Sequence, residues 1–275
     1  MLKMVVTDLD GTLLNSDAIA EKPVLETLFS LGEMGIVRTI ATGRSLYSIN
    51  KVLSDDFPID YIIFSSGAGV IRWSDKQILN SRLLYQHEVQ SVVDDLITHG
   101  IDFMVHEPIP HNHCFLYHST NNENSDFDRR IETYRAFCRP YISGIDFPNG
   151  ATQIIAVLPN DTELFTRLSN KFPKLKVIRT TSPSDGVSIW MEIFPLDVSK
   201  AYGISWLCGD EVKCKRNEVI AIGNDFNDLD MLDFIELSYV VSNAPDELKK
   251  HYKVVPSNNE YGFNFAVKDA LTILR

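Results

Sequence analysis

Two aspartates one residue apart, Asp8 and Asp10, follow the apolar run Val5-Val6-Thr7 and precede Gly11-Thr12. A short apolar run that meets a glycine reads as a strand entering a tight turn. Such a strand delivers Asp8 to a sheet edge and leaves Asp10 just beyond it in a loop. The two acids then approach one reaction centre while playing different chemical parts. Taken alone, Asp10-Gly11 after an apolar run reads equally well as an ordinary hairpin turn.

The rest of the chain separates these readings. Asp8-Leu9-Asp10-Gly11-Thr12 resembles the first signature of the haloacid dehalogenase-like hydrolases, a superfamily of mostly magnesium-dependent phosphatases with an aspartate nucleophile. Three more stretches follow in that family's order. Thr42, in Ile40-Ala41-Thr42-Gly43-Arg44, falls where the second motif places a phosphate-binding Ser or Thr. Lys200, in Asp197-Val198-Ser199-Lys200, falls where the third places its Lys. Gly223-Asn224-Asp225-Phe226-Asn227-Asp228 resembles the acidic fourth motif of the Cof-type branch, usually Gly-Asp-x-x-Asn-Asp, with Asn224 in place of its first Asp.

The resemblance implies a role for each residue. Asp8 is the expected nucleophile, forming an aspartyl phosphate that splits one displacement into two. Asp10 would protonate the leaving alcohol and then deprotonate the attacking water. Thr42 and Lys200 would bind the phosphoryl oxygens, with Gly43 and Arg44 beside them. Magnesium, which takes hard oxygen ligands, would be held by Asp8, the Asp10 carbonyl, Asn224 and Asp228. A shifted register would instead make Asp225 the ligand; the ungapped match of Gly223, Asn227 and Asp228 favours Asn224. Singly, Thr42 reads as a strand-end Thr, Lys200 as a first-turn helix Lys, Arg44 as a surface Arg, and the 224–228 acids as helix-capping residues.

Placing these residues together requires an alternation of helices and strands. Apolar residues at Val24, Leu25, Leu28 and Leu31 predict a helix over 23–34, with Pro23 in its first turn. Strands are predicted over 36–41 and 61–64, with a helix over 45–53 between them, hence a parallel βαβ arrangement. The small-residue loop Ser65-Ser66-Gly67-Ala68-Gly69 follows. From about 83 the pattern changes to helices over 87–99, 127–137 and 161–172, with strands near 101–106, 113–118, 152–158, 175–179 and 187–193. Alternation resumes with a helix over 200–207, strands at 219–222, 239–241 and 254–255, and a helix over 263–274. The expected fold is α/β: a Rossmann-like parallel core (1–82 and 190–275) with an inserted α+β cap (83–189), as in the family branch whose cap occupies that interval.

A chain of 275 residues accommodates two compact units. Its composition, 44% hydrophobic and 23% charged, is that of a globular enzyme. A formal charge of −11 opposes nucleic acid and anionic membranes. It also repels phosphorylated substrates, so a phosphate site here needs a cation and locally placed basic groups. No run of 18 apolar residues occurs and no leader precedes the first strand, so a cytoplasmic monomer or weak homodimer is expected. Cys114, Cys138, Cys208 and Cys214 show no metal or paired spacing, and they read as reduced thiols without a disulfide.

In the cap, His106, His111, His113 and His118 resemble a metal cluster at first sight, with His111 and His113 on one strand face. Substrate contact, assigned here to His113, is the better reading, because caps of this type close over the leaving group. The function expected from the resemblance is magnesium-dependent hydrolysis of a small phosphorylated metabolite, a sugar phosphate above all. The alternatives are a phosphomutase of the same superfamily and a non-catalytic phosphometabolite sensor.

Overall fold

A computed structural model describes residues 1–182 and 185–274. The chain divides into two units, Met1–Asn80 with Ser199–Arg275, and Ser81–Val198. In the first half of unit one, β1 (Met4–Thr7), α1 (Lys22–Glu33), β2 (Val37–Ala41), α2 (Leu46–Ile49) and β3 (Tyr61–Phe64) alternate as the apolar spacing requires. Strand β1 is buried along its whole length, as a strand covered on both faces must be. The chain then turns into β4 (Gly69–Arg72) and β5 (Gln77–Ser81).

The second unit runs α3 (Gln86–Thr98), β6 (Phe103–His106), β7 (Phe115–His118), α4 (Ser125–Thr133), β8 (Cys138–Pro140), β9 (Gln153–Leu158), α5 (Thr162–Ser169), β10 (Leu175–Thr181) and β11 (Ile189–Pro195). These strands form one sheet in the order β10-β11-β9-β6-β7-β8. Period-2 alternation sends Phe103, Val105, Ile154, Ala156, Met191 and Ile193 into a core with Val89, Val92, Val93 and Leu96 of α3. Strand β11 pairs with both β9 and β10, so the inserted unit continues to Val198, past the limit near 189 drawn from the sequence.

Two local expectations for this unit are corrected. The helix expected over 127–137 ends at Thr133, because Cys138–Pro140 hydrogen-bonds beside β7 instead. His111 and His113 do not share a strand face. They sit in the turn that leads into β7, closed by hydrogen bonds from His111 N to Pro108 O (2.9 Å) and Cys114 N to His111 O (2.8 Å).

The chain returns to the first unit through α6 (Lys200–Trp206), β12 (Val219–Gly223), α7 (Leu229–Phe234), β13 (Leu237–Val241), α8 (Asp246–Lys249), β14 (Lys253–Val255) and α9 (Gly262–Ile273). The sheet order is β14-β13-β12-β1-β2-β3-β4-β5. Strands β14, β13, β12, β1, β2 and β3 are parallel, and β4 is antiparallel to β3. Strand β1 therefore lies at the point where strand order reverses. In open parallel sheets the crevice beyond the carboxyl ends at that point is where ligands bind. Among the described residues, no helix is long and apolar enough to cross a membrane.

Candidate active site

Four chain segments converge beyond the carboxyl end of β1. Asp8 continues the strand, its N–H donating to Ile222 O at 2.8 Å, and the residue is 5% exposed. The chain then closes a five-residue turn, Leu9–Leu13, sealed by Leu14 N donating to Leu9 O at 2.9 Å. Gly11 takes a left-handed φ of 72° in this turn, and a Cβ there would stand 2.6 Å from Asn224 Nδ2. The glycine thus admits both the turn and the close approach of the 224–228 loop.

Beyond β2, Thr42 donates its N–H to Ile63 O (2.8 Å), its carbonyl accepts from Ser66 N (3.0 Å), and its hydroxyl oxygen accepts from Arg44 N (3.1 Å). The hydroxyl is thereby fixed on a buried residue with its hydrogen left to donate elsewhere. Ser65 and Ser66 hold φ values of 49° and 56°. For non-glycine residues that conformation costs on the order of 1 kcal/mol each. The strained turn brings Gly67 against the start of α6, where a Cβ would lie 2.0 Å from Ser199 O. Ser199 caps α6 by accepting Tyr202 N at 3.0 Å, which sets Lys200 as the first residue of that helix.

Lys200 is 1% exposed and its Nζ bridges Asp8 Oδ1 at 2.7 Å and Asp228 Oδ1 at 2.5 Å. Burial works to lower the Lys200 pKa, but Asp228 and Asp8 outweigh it and hold the ammonium charged. Burial pushes the Asp8 carboxyl up from 3.8 to about 8; Lys200 opposes this, whereas Asp228 and Asp10 add to it. Acid groups thus exceed bases at this point, as the chain's overall charge foreshadowed. Asp228 also accepts Asn224 N (2.8 Å) and Asp225 N (3.1 Å) on Oδ2, so both its oxygens are committed to the protein. Gly223 makes room for that carboxylate, since a Cβ there would lie 2.7 Å from Asp228 Oδ2.

The remaining residues of the loop divide in function. Asp225 turns its carboxylate onto its own backbone, accepting Phe226 N at 2.8 Å as a helix cap. Asn224 instead presents its amide to Gly11, whose carbonyl accepts Asn243 Nδ2 at 2.9 Å. Asp10 is half exposed at the mouth of the site, and Arg44 grips both its oxygens, Nε to Oδ2 at 2.6 Å and Nη2 to Oδ1 at 2.7 Å. Arg44 Nη1 donates to Ser48 Oγ (2.9 Å) and O (3.2 Å) in α2. This pairing of Arg44 with Asp10, and the support from Ser48, went unread in the sequence. An Arg in the turn before a helix N-terminus is a signal too common to single it out.

Asp8, Asp10, Thr42, Gly43, Arg44, Lys200, Asn224 and Asp228 all belong to the first unit, and His113 belongs to the second. There His113 packs edge-on against Phe137, with ring centroids 5.0 Å apart. His106 is buried, with Nδ1 2.8 Å from Asn112 O, and burial lowers its pKa from 6.5 to about 3. His118 stacks on Phe103 at 5.1 Å. Among the described residues, no group of three or more His, Cys, Asp or Glu is arranged to hold a metal ion.

The donors that could hold a divalent ion here are unlike: a carboxylate oxygen of Asp8, the Asp10 carbonyl and the Asn224 amide oxygen. All three are hard oxygens, the set magnesium prefers, and the excess of acids around Asp8 favours a cation. The residues present fit the ion. Asp228, also expected as a ligand, accepts Lys200 Nζ, Asn224 N and Asp225 N.

A model of the haloacid dehalogenase-like hydrolase family matches residues 5–266. A 5-amino-6-(5-phospho-D-ribitylamino)uracil phosphatase of Bacillus subtilis is 25% identical, over 98% of this chain and 99% of its own length. A haloacid dehalogenase-like hydrolase from Bacteroides thetaiotaomicron superposes with a TM-score of 0.70 at 25% identity, covering 98% of this chain and 99% of that one. A sugar phosphatase of subclass IIB superposes with a TM-score of 0.76 at 18% identity, covering 97% and 98%.

Proposed function

Since this chain is a phosphatase of the haloacid dehalogenase-like hydrolase family, we propose that it hydrolyses a small phosphorylated metabolite, with sugar phosphates as the substrate class, through a phosphoryl group carried on Asp8. The observation that carries the reading is the buried contact of Asp8 with Lys200 at the reversal point of the sheet, with Asp10 two residues away at the mouth. The substrate class draws support from the sugar phosphatase among the structural neighbours and from the phosphorylated ribityl chain in the relative's name.

In the first step an Asp8 oxygen attacks phosphorus, and the departing alcohol oxygen takes a proton from the Asp10 carboxyl. In the second, Asp10 takes a proton from water, which attacks the same phosphorus; the bond to Asp8 breaks and inorganic phosphate leaves. One carboxyl serves both steps because the first leaves it in the state the second needs. Thr42 donates its hydroxyl hydrogen to a phosphoryl oxygen, and Lys200 holds positive charge beside Asp8 throughout. Arg44 grips the ionised form of Asp10, the form suited to activating water; as an acid, Asp10 must turn out of that fork toward the leaving oxygen. Magnesium, when bound by Asp8, the Asp10 carbonyl and Asn224, supplies the further positive charge that a phosphate dianion requires among these acids.

A panel of sugar phosphates, nucleotides and cofactor phosphates, assayed for free phosphate with and without magnesium, tests the proposal. Magnesium-dependent phosphate release from sugar phosphates is expected. A phosphorylated isomer in place of free phosphate would make the protein a mutase, and no release from any member would reject a hydrolase of this class.

A further inference from the structure

Cys208 and Cys214 meet in the first unit, between Lys200 and the 224–228 loop in the chain. Six residues apart, they would lie on different sides of an α-helix. The chain does not stay α-helical there: after α6 it widens into the turn Leu207–Glu211, with Val212 N donating to Leu207 O at 2.8 Å. Lys213 then takes a left-handed φ of 54°, and the backbone folds back so that Cys214 N donates to Cys208 O at 3.1 Å. The outcome is a contact of the two Sγ atoms at 3.4 Å. Cys208 is buried among core residues and Cys214 is partly exposed; both are free thiols.

We propose that Cys208 and Cys214 form a reversible intramolecular disulfide, a thiol-modification site that exchanges with low-molecular-weight aliphatic disulfides. The sulfurs need to close by about 1.4 Å to reach bonding distance, a movement that rotation of the partly exposed Cys214 side chain supplies. The two thiols are chemically unequal. The hydrogen-bonding contact with Cys208 lowers the Cys214 pKa, and Lys3 acts in the same direction against burial and Glu218. The same contact, together with burial, raises Cys208. Cys214 is thus the thiolate that enters first. Burial raises the thiols of Cys114 and Cys138, which disfavours the same chemistry there.

The exchange balances in two displacements. The Cys214 thiolate attacks one sulfur of the external disulfide and expels a thiolate, forming a mixed disulfide. Cys208 then gives up its proton and attacks the Cys214 sulfur, expelling the second thiolate. The two protons lost by the cysteines end on the two released thiols, and two electrons pass from the protein to the external disulfide. The bridge fastens the end of α6 to the segment entering β12. The helix rise separates Cys208 from Lys200 by about 12 Å, so the bridge should leave turnover intact and raise the unfolding temperature by a few degrees.

The full chain is equilibrated with graded ratios of oxidised to reduced glutathione, acid-quenched, alkylated and mapped by mass spectrometry. The expected result is a peptide joined through Cys208 and Cys214, lighter by two hydrogens, with Cys114 and Cys138 still alkylated and the change undone by dithiothreitol. Cys214→Ser should abolish the bridge without glutathione uptake at Cys208, and Cys208→Ala should trap glutathione on Cys214. Four alkylated cysteines in the wild type at every ratio, earlier oxidation of Cys114 or Cys138, or a lasting glutathione adduct on wild-type Cys214 would each overturn the proposal. The wild-type map decides even if a variant fails to fold.

Discussion

Arg44 holds Asp10 by a two-pronged ion pair, with Nε–Oδ2 and Nη2–Oδ1 separations of 2.6 and 2.7 Å. The contact joins the turn after β1 to the turn before α2. Both side chains are partly exposed, 25% and 48%, so the pair adds little to stability, about 1 kcal/mol at most. On the proposed mechanism, its consequence lies in where it places the carboxyl assigned to carry the proton. Arg44→Ala is expected to leave the unfolding temperature nearly unchanged and to lower kcat by roughly 10- to 100-fold. Arg44→Lys should recover only part, because an ammonium cannot engage both oxygens in one plane. A rise in KM at unchanged kcat would instead make Arg44 a substrate contact.

The loop after β12 predicts a metal site tuned by one substitution. Asn224 sets its amide nitrogen beside Gly11 and has only a neutral amide oxygen to offer a metal, while the Asp225 carboxylate accepts Phe226 N. Asn224→Asp should tighten magnesium binding by on the order of tenfold, because a carboxylate adds a full charge interaction. Asp225→Asn should change it little. Calorimetric titration with magnesium reads both directly, and the opposite pattern would move the ligand to Asp225.

Burial of neutral His106 predicts acid lability of the second unit. The pKa falls from 6.5 to about 3 on folding, so below 6.5 the unfolded chain takes up a proton that the folded one refuses. The stability contribution is complete above pH 6.5 and declines as pH falls toward 3. His106→Asn, which can still donate to Asn112 O, should flatten this part of the stability profile. Urea unfolding of both proteins at pH 4 and pH 7 measures the difference; equal slopes would contradict it.

Asp8 predicts the reverse sign. Its folded pKa of about 8 lies above the ordinary 3.8, so between these values the folded chain holds a proton that the unfolded chain releases. Stability attributable to this group therefore falls as pH rises through that window. Without metal, Asp8→Asn should therefore gain stability relative to wild type as pH rises from 4 to 8. Thermal unfolding in a chelator across this range provides the check; a stability difference between the two proteins that stays constant, or moves the other way, would contradict it.

What was legible in the sequence follows from how local each signal is. Residues 4–6 and 219–223 are short apolar runs, and 37–41 closes on Ile40-Ala41, so the strands were legible together with the candidate residues that stand just beyond them. The pairing of Arg44 with Asp10 spans 34 residues and depends on β1 and β2 being neighbours, which no local pattern encodes. Strand β8 is three residues long and held in place by pairing beside β7, so the periodicity of α4 ran on past its true end. His111 and His113 alternate like strand residues but sit in a turn set by backbone hydrogen bonds. The contact of Cys208 with Cys214 needs a widened turn and a left-handed residue, neither of which follows from cysteine spacing.

The turnover of Asp8→Asn on the best substrate of the panel, at saturating magnesium and with folding verified by thermal unfolding, bears most directly on the central claim. The substitution removes the attacking carboxylate at nearly constant volume while Lys200 keeps Asp228 as its partner. The account predicts a folded protein with less than about 1% of wild-type turnover. A folded Asp8→Asn variant that retains more than this would contradict the assignment of Asp8 as the group that receives the phosphoryl.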